Sequence, residues 1–318
     1  MGIYADSSNN EHVQRRCVIV SAAPINDYRR ARSFLMKDVD TYFFADAGLA
    51  HASPLGITPD VIVGDFDSLG SAEQNTYHLQ RSEAIGLDEE HARKSTFQSP
   101  ATSASTPIEE PALPKAAQEP EVFALPRSKD VTDTFFAVEE GLRRGFTDFV
   151  LIGATGGRFD HTYANVQILA FLANRGARGF IVDDVCEMSA AFFGNPCKLT
   201  PRGFLSLEPH YSAHTPLLGE QDGLPGEQGS AAKPNAPSPT NSHHDAIPQV
   251  LYFSVLATSG SAAGVSIHGA RYELENATLA SDFQLGVSNE ILPGHTAVVT
   301  STSPVIVVAV RQAQPALH

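Results

Sequence analysis

Over roughly the first 185 residues, short apolar runs alternate with amphipathic stretches. The runs Cys17–Ala22 and Asp148–Gly153 are almost continuously apolar, which is typical of strands buried on both faces of a sheet. The same pattern recurs at residues 41–45, 60–64 and 179–183. Residues Asp130–Arg144 and Thr162–Asn174 instead place their apolar side chains on one helical face. The alternation predicts an α/β, Rossmann-like domain with a parallel sheet covered by helices.

After about Cys186 the pattern changes to short β-rich runs separated by Gly, Pro or Ser, with no long helical period. These runs are residues 204–207, 250–257, 264–267, 271–274, 296–301 and 305–310. Such spacing predicts an all-β domain, a sandwich or a small barrel. We therefore expect an α/β domain over residues 1–186 and a C-terminal β-sandwich domain over 187–318.

Two segments have the composition of insertions rather than of packed elements. Residues 90–126 and 212–248 are rich in Ser, Thr, Pro, Ala and Glu and contain few large apolar side chains. Such segments bury too little apolar surface to offset the entropy lost on ordering. We expect both to form loops or disordered stretches.

Charge and cysteine content narrow the possible classes of protein. The chain carries 36 acidic and 22 basic residues, a net charge of −14, which argues against binding nucleic acid through its phosphates. No apolar run approaches the ~18–20 residues of a membrane span, and the polar N-terminus does not resemble a signal peptide. The chain has three cysteines, and none of them form a Cys-x-x-Cys pair, so we expect neither a disulfide framework nor a structural zinc site. These features favour a cytoplasmic protein that is not associated with membranes.

The first candidate site follows the predicted strand at residues 60–64. Asp65 and Asp67 come where a parallel strand ends, at the edge of the sheet where α/β folds bind ligands. Two carboxylates spaced in this way can bind one Mg²⁺ together with water and phosphate oxygens. An ordinary acidic turn that caps a following helix explains the same residues equally well.

The second candidate site lies at the start of the predicted helix Asp130–Arg144. Asp130 or Thr132 can act as the N-cap, and Asp133 then lies in the first turn, where a carboxylate complements the helix dipole. Lys129 beside them suits a phosphate group. Taken alone, this motif is explained more simply by helix capping.

The third candidate site is the glycine-rich turn after the predicted strand Asp148–Gly153. Gly156 and Gly157 permit positive φ angles, so that consecutive N–H groups can face an anion. Arg158 can donate two hydrogen bonds to a phosphate. Asp160 and His161 follow at the helix start, as caps or as ligand contacts. The spacing matches neither a P-loop nor G-x-G-x-x-G.

Together these motifs resemble the thiamine pyrophosphokinase (thiamine diphosphokinase) family. The segments that carry the resemblance are, in chain order, ADAG (45–48), ITPDVIVGDFDSL (57–69), KDVTDT (129–134), GATGGRFDHTYAN (153–165), GARYEL (269–274) and LGVSNE (285–290). One position departs from the family pattern, because Ala47 replaces the second glycine of the usual ADGG. We expect this alanine to hold the loop further from a ligand.

The resemblance implies a catalytic site in the α/β domain. Asp65, Asp67 and Asp133 would bind Mg²⁺ against the phosphates of ATP. The remaining nucleotide or phosphate contacts would come from Asp46, Lys129, Thr132, Gly156, Gly157, Arg158, Asp160 and His161. These assignments are implied by the family and do not follow from spacing alone.

The resemblance also implies a thiamine pocket in the C-terminal domain and a homodimeric assembly. Tyr272 replaces a stacking aromatic residue, and Ser288 and Asn289 match the Ser-Asn of the family's thiamine segment. Either 204–209 or 253–258 can be the strand that precedes this segment. From the residues alone, Tyr272 is a strand residue and Ser288-Asn289 a turn.

The expected reaction is diphosphate transfer from Mg-ATP to the thiamine hydroxyl, giving thiamine diphosphate and AMP. Two other functions remain open. One is a pyrophosphokinase for another heterocyclic alcohol, such as a hydroxymethylpterin. The other is a non-catalytic protein that binds thiamine or a nucleotide.

Overall fold

The protein is described by a computed structural model covering residues 15–67, 70, 76, 77, 79, 119–126, 130–207 and 249–311. The chain separates into two compact units. Unit 1 comprises residues 1–184 with 188–190, and unit 2 comprises 185–187 with 191–318. The predicted site residue Lys129 and the predicted insertion 212–248 lie outside the described residues.

Unit 1 is built on a parallel sheet in the order β6-β5-β1-β2-β3-β4. The strands are β1 (Arg16–Val20), β2 (Asp40–Ala45), β3 (Val61–Gly64), β4 (Glu121–Ala124), β5 (Asp148–Ile152) and β6 (Arg178–Val182). Every residue of β1, β2, β3 and β5 is buried, which explains why these strands appear in the sequence as continuous apolar runs. The predicted α/β class is therefore confirmed.

Helices follow most of these strands. They are α1 (Tyr28–Ser33), α2 (Ala52–Leu55), α3 (Asp133–Arg143) and α4 (Phe159–Ala173), with a 3₁₀ helix at Asp46–His51. Helix α3 lies within the predicted stretch Asp130–Arg144. Helix α4 begins three residues before the predicted Thr162. Its first turn contains the exposed Phe159 and Asp160, which an apolar pattern cannot detect.

Strand β4 corrects the prediction that all of residues 90–126 form a loop. Its side chains are mostly exposed, so it lacks the apolar signature of its neighbours. It joins the edge of the sheet through backbone pairing with β3, from Val61↔Glu121 to Gly64↔Ala124. An edge strand of this kind needs no buried side chains of its own.

Unit 2 consists of β-strands, as the predicted C-terminal β domain requires, and the pairs among β8–β14 are antiparallel. The strands are β7 (Cys186–Ala191, shared with unit 1), β8 (Cys197–Thr200), β9 (Gly203–Phe204), β10 (Val250–Leu256), β11 (Ser261–His268), β12 (Leu274–Ala280), β13 (Ala297–Thr300) and β14 (Val305–Arg311). Five of them form one sheet, β12-β11-β13-β8-β9, and β10 pairs with β14. The predicted strand at 271–274 is wrong, because residues 271–273 form a bend and the strand begins at Leu274.

Two further predictions can be compared with the described residues. Cys17, Cys186 and Cys197 are buried and are not joined by disulfide bonds. Among the described helices, none combines the length and apolarity that crossing a bilayer requires.

Candidate functional site

A cleft of about 510 Å³ opens in unit 1 beside the carboxyl ends of the central strands. Its walls come from the segments that follow β1, β2, β3 and β5 and from the first turns of α3 and α4. The volume is that of a small-molecule site. Parallel strands direct their carboxyl ends to one edge of the sheet, and this brings segments distant in sequence into one wall.

Three carboxylates converge where β2 and β3 end. Asp46, Asp65 and Asp67 each present one oxygen, and these oxygens all lie within 4.8 Å of one another. The strands are neighbours, with Ala45 opposite Val63 in parallel register, so Asp46 is carried to the Asp65 loop. The Asp65 Oδ1 also accepts a hydrogen bond from the Asp67 N–H at 3.2 Å.

The backbone at this cluster adopts conformations that non-glycine residues rarely use. Asp46 has φ +45° and Phe66 has φ +61°, both in the left-handed region. Phe66 is buried, so its side chain fixes the turn between the two carboxylates. Such conformations persist only where the surrounding structure imposes them, and they are common at functional sites.

Asp133 faces the same cleft from the first residue of α3. Thr132 is the N-cap of this helix, and its hydroxyl accepts a hydrogen bond from the Phe135 N–H at 3.1 Å. The sequence prediction grouped Asp133 with Asp65 and Asp67. In the structure, the carboxylate that converges with those two is that of Asp46.

The glycine-rich turn after β5 supplies another wall of the cleft. Gly156 and Gly157 have φ +92° and +65°, as predicted from their sequence. The Gly156 N–H, however, donates to the Thr162 hydroxyl at 3.0 Å. In this structure α4 therefore uses the Gly156 donor, and the contact of Gly156 with a phosphate stays a prediction.

Arg158 is held in place by a neighbouring carboxylate. Its Nη2 and Nε lie 2.5 and 3.2 Å from the two carboxylate oxygens of Asp160, and both side chains are exposed. The hydrogen bond from Arg158 holds the pKa of Asp160 below its usual value. Arg158 and His161 both line the cleft.

Further cleft residues were given no ligand-binding role by the sequence analysis. They include Asp130 and Asn165, which lie within the motif segments 129–134 and 153–165, and the segment Ser21–Ala23. The buried Asn165 donates to the Ala154 carbonyl at 2.7 Å and so ties α4 to the glycine-rich turn. Ser21–Ala23 follows the observed strand β1, which ends at Val20, whereas the predicted run Cys17–Ala22 included the first two of these residues. With the correct strand end, the rule that selected Asp65 would have selected this segment.

In unit 2, Asn289 organises the segment that contains Tyr272 and Ser288. Its amide donates to the Tyr272 carbonyl at 2.7 Å, and its Oδ1 accepts from the Tyr272 N–H at 3.0 Å. Asn289 is buried, whereas Tyr272 is 61% exposed. Ser288 is exposed with φ +59°. Asn289 therefore acts on the backbone, whereas Tyr272 and Ser288 are exposed.

Of the two strands considered for the segment 285–290, β10 is the one that pairs with it. Phe253 in β10 exchanges two backbone hydrogen bonds with Asn289, at 2.9 and 2.8 Å, and the Val255 N–H donates to the Gly286 carbonyl at 2.8 Å. Residues 285–290 thus lie against β10. The alternative segment, 204–209, begins with the end of β9 and a short 3₁₀ turn.

Fold and cleft together define a class of enzyme-like protein: an α/β unit with an acidic, ligand-sized cleft, continued by an antiparallel β unit. Two family models match parts of the chain. Residues 112–181 match "Thiamin pyrophosphokinase, catalytic domain", and residues 245–306 match "Thiamin pyrophosphokinase, vitamin B1 binding domain". Both matches support the thiamin pyrophosphokinase family, whose enzyme class is thiamine diphosphokinase.

Solved structures support the fold assignment. Thiamine pyrophosphokinase from Bacillus subtilis aligns at 17% identity over 94% of this chain and 100% of its own, with a TM-score of 0.57. The Geobacillus thermodenitrificans protein aligns at 18% identity over 95% and 100%, with a TM-score of 0.56. Thiamin pyrophosphokinase from Candida albicans aligns at 15% over 95% and 91%, with a TM-score of 0.51. No curated protein sequence matches this chain.

Proposed function

We propose that the protein transfers the diphosphate group of Mg-ATP to thiamine, giving thiamine diphosphate and AMP. The observation that carries the proposal is the convergence of the Asp46, Asp65 and Asp67 carboxylates, of which Asp46 and Asp65 line the unit 1 cleft. The two family models add the substrate, because one is a catalytic domain and the other a vitamin B1 binding domain.

The donor set fits Mg²⁺. Hard divalent cations take carboxylate oxygens, and Mg²⁺ in phosphate-transfer sites binds a few carboxylates together with phosphate oxygens and water. Asp46, Asp65 and Asp67 would bind the ion, with Asp133 adding a carboxylate from the α3 side of the cleft. The ion would withdraw charge from the phosphates during transfer.

The other assigned residues would bind and orient the nucleotide. Arg158 would donate to a phosphate while Asp160 holds its guanidinium in place. The other nucleotide contacts would come from Thr132, Gly156, Gly157, His161 and Lys129.

The thiamine oxygen forms a bond to the β-phosphorus, and the bond from that phosphorus to the α,β-bridging oxygen breaks. AMP leaves, and the hydroxyl proton is released. Positioning and charge neutralisation account for most catalysis of this kind.

In the first test, purified protein is incubated with ATP, thiamine and Mg²⁺, and the nucleotide products are separated and identified. AMP formed together with thiamine diphosphate, and only with thiamine and Mg²⁺ present, is the expected result. ADP would contradict transfer of a diphosphate unit. Binding of thiamine or nucleotide without turnover would indicate a non-catalytic protein. Turnover with a hydroxymethylpterin but not with thiamine would indicate a pyrophosphokinase for that other alcohol.

The metal assignment is tested with Asp65→Asn and Asp67→Asn. We expect each to lower kcat by about 100-fold or more, because the cluster loses one charged ligand while the backbone is unchanged. Asp38→Asn is the matched control, since Asp38 is exposed and precedes β2, whereas Asp46 follows it. Wild-type turnover in the two cluster variants would contradict the assignment.

Thiamine binding is tested in unit 2 with a fluorescent reporter. The chain contains no tryptophan, so Tyr272→Trp introduces a single one at the proposed stacking position. We expect thiamine to quench its emission in a saturable way. Phe193→Trp places the reporter at an exposed turn outside residues 269–290 and should not respond. Equal responses would contradict the pocket.

We further propose that the protein is a homodimer, as the family resemblance implies. Light scattering coupled to size-exclusion chromatography should give about twice the 34.0 kDa chain mass. A mass of one chain would contradict the proposed assembly without bearing on the reaction.

A further inference from the structure

The cleft wall formed by Ser21–Ala23 is held by hydrogen bonds from three directions. The Ser21 and Ala23 N–H groups donate to the carbonyls of Ile152 and Gly153 at 2.8 and 2.9 Å. The Ser21 hydroxyl lies 2.9 Å from that of Thr134, next to Asp133. The remaining bond comes from His51, whose Nε2 lies 3.1 Å from the Ala23 carbonyl oxygen.

The hydrogen bonds of His51 determine its tautomer. A carbonyl oxygen can only accept, so Nε2 carries the proton that it donates to Ala23. Nδ1 lies 2.7 Å from the Tyr28 hydroxyl oxygen and, in the neutral ring, accepts a hydrogen bond from that hydroxyl. Burial of the half-buried ring lowers its pKa, which favours this neutral form.

His51 is also the last residue of the 3₁₀ helix that begins at Asp46. That helix is only six residues long, and Asp46 begins it at φ +45°. A short 3₁₀ segment has weak internal hydrogen bonding, so contacts from outside must hold it in place. The His51–Ala23 bond connects the far end of this helix to the Ser21–Ala23 wall of the cleft.

We propose that His51, supported by Tyr28, is a positioning residue that fixes the Asp46 turn against the Ser21–Ala23 wall and thereby sets the affinity of the carboxylate cluster for a divalent cation. The inference rests on the proposed function, because it takes the cluster to be the metal site. His51 and Tyr28 would act through Asp46 and Ala23, as outer residues commonly do around metal ligands.

The test uses His51→Leu, His51→Gln and Tyr28→Phe in the full chain, with Mn²⁺ binding followed by electron paramagnetic resonance. We expect His51→Leu to weaken Mn²⁺ binding about 10-fold and Tyr28→Phe to weaken it less. A glutamine amide can donate to Ala23 and accept from Tyr28, so His51→Gln should retain near wild-type affinity. In turnover assays, the KM for ATP should rise in His51→Leu while the KM for thiamine stays unchanged.

Ser189→Ala is the matched control for loss of a buried hydrogen bond. The Ser189 hydroxyl donates to the Gly179 carbonyl at 2.9 Å, within unit 1 and away from the cleft lining. We expect it to lower thermal stability without changing Mn²⁺ affinity. If His51→Leu does not fold, Tyr28→Phe, which removes only a hydroxyl, takes its place.

The outcomes separate this inference from the proposed function. Wild-type protein that binds no Mn²⁺ would contradict the metal site itself. Wild-type affinity in both His51→Leu and Tyr28→Phe, or equal weakening in His51→Leu and His51→Gln, would overturn the positioning role alone. Nitrogen-15 NMR of the wild type should show the Nε2–H tautomer of His51, and the Nδ1–H tautomer would also overturn the inference.

Discussion

At the residue scale, Gly48 is required for a reason that differs from the usual role of glycine in turns. A Cβ atom added there would lie 2.2 Å from the carbonyl oxygen of Val20 in β1, without any positive φ being involved. Ala47 beside it is half-buried. The close backbone approach in ADAG is therefore made by its final glycine, Gly48, and the structure accommodates the alanine at position 47.

This difference predicts opposite outcomes for two neighbouring substitutions. Gly48→Ala forces the 3₁₀ helix away from β1, so we expect a loss of about 1–3 kcal/mol in the free energy of unfolding and reduced activity. Ala47→Gly should leave activity within about two-fold of wild type, with a stability change below about 1 kcal/mol. Urea denaturation and steady-state assays measure both. A stable, active Gly48→Ala variant would contradict the close approach.

His51 also predicts how stability depends on pH. Burial lowers its pKa in the folded protein below the ordinary 6.5, so between the folded value and 6.5 the unfolded chain binds more protons. The free energy of unfolding therefore rises with pH through that window, and the stabilising contribution of neutral His51 is complete above it. We expect His51→Gln to lose less stability than wild type between pH 7 and pH 5. Parallel stability curves for the two proteins would contradict this assignment.

At the element scale, the sequence predicted the elements that are buried on both faces or carry a regular apolar face. Strands β1, β2, β3, β5 and β6 and helices α3 and α4 belong to this group. Strand β4 escaped detection because its stability comes from backbone pairing, which leaves no mark on side-chain polarity. The bend at 271–273 was mistaken for a strand because Asn289, 17 residues away, fixes it.

The candidate site likewise divides into residues that local sequence patterns indicate and contacts that depend on the tertiary fold. Motifs at strand ends indicated Asp65, Asp67 and Arg158, and a motif at a helix start indicated Asp133. Asp65, Asp133 and Arg158 line the cleft, and the Asp67 carboxylate converges with that of Asp65. The convergence of Asp46 with Asp65 depends on which strands are neighbours, and no local pattern reports the order of strands. Likewise, the bond from the Gly156 N–H to Thr162 depends on where α4 begins, three residues before its apolar pattern does.

Helix α3 provides a test at this scale, because its N-cap and a proposed nucleotide contact are the same residue. Thr132→Ala removes the acceptor for the Phe135 N–H and should lower stability by about 1 kcal/mol, whereas Thr132→Ser should retain the cap. Since Asp133 is the next residue, we also expect a several-fold rise in the KM for ATP only in the alanine variant. Thermal unfolding and kinetics distinguish these outcomes. Equal behaviour of the two variants would show that the cap is dispensable.

At the scale of the whole molecule, each unit contains a buried ion pair of its own. In unit 1, Arg16 Nε lies 2.7 Å from Asp40 Oδ1, and in unit 2, Arg311 Nη2 lies 2.6 Å from Glu187 Oε1. The second pair is almost completely buried, and Arg311 also donates to the Arg202 carbonyl. Removing one partner of such a pair leaves a buried charge uncompensated, which typically costs about 3–5 kcal/mol.

Glu187→Gln should therefore destabilise unit 2, and Asp40→Asn should destabilise unit 1. Hydrogen exchange resolved by segment measures each effect, with faster exchange expected in β14 for the first variant and in β1 and β2 for the second. Replacing both Glu187 and Arg311 by methionine should recover much of the stability lost in Glu187→Gln, because no charge then remains buried. Unchanged exchange in β14 of Glu187→Gln would contradict the importance of this pair.

The Glu187–Arg311 pair also has a consequence for how the protein is made. The two residues are 124 positions apart, and a ribosome releases the first long before it adds the second. Burial of the Glu187 carboxylate must wait for its arginine, so unit 2 closes only when nearly all of its strands have been synthesised. A nascent chain interrupted before Arg311 keeps that carboxylate hydrated and its first strands exposed to proteases. The ion pair thus couples the closure of unit 2 to the synthesis of β14.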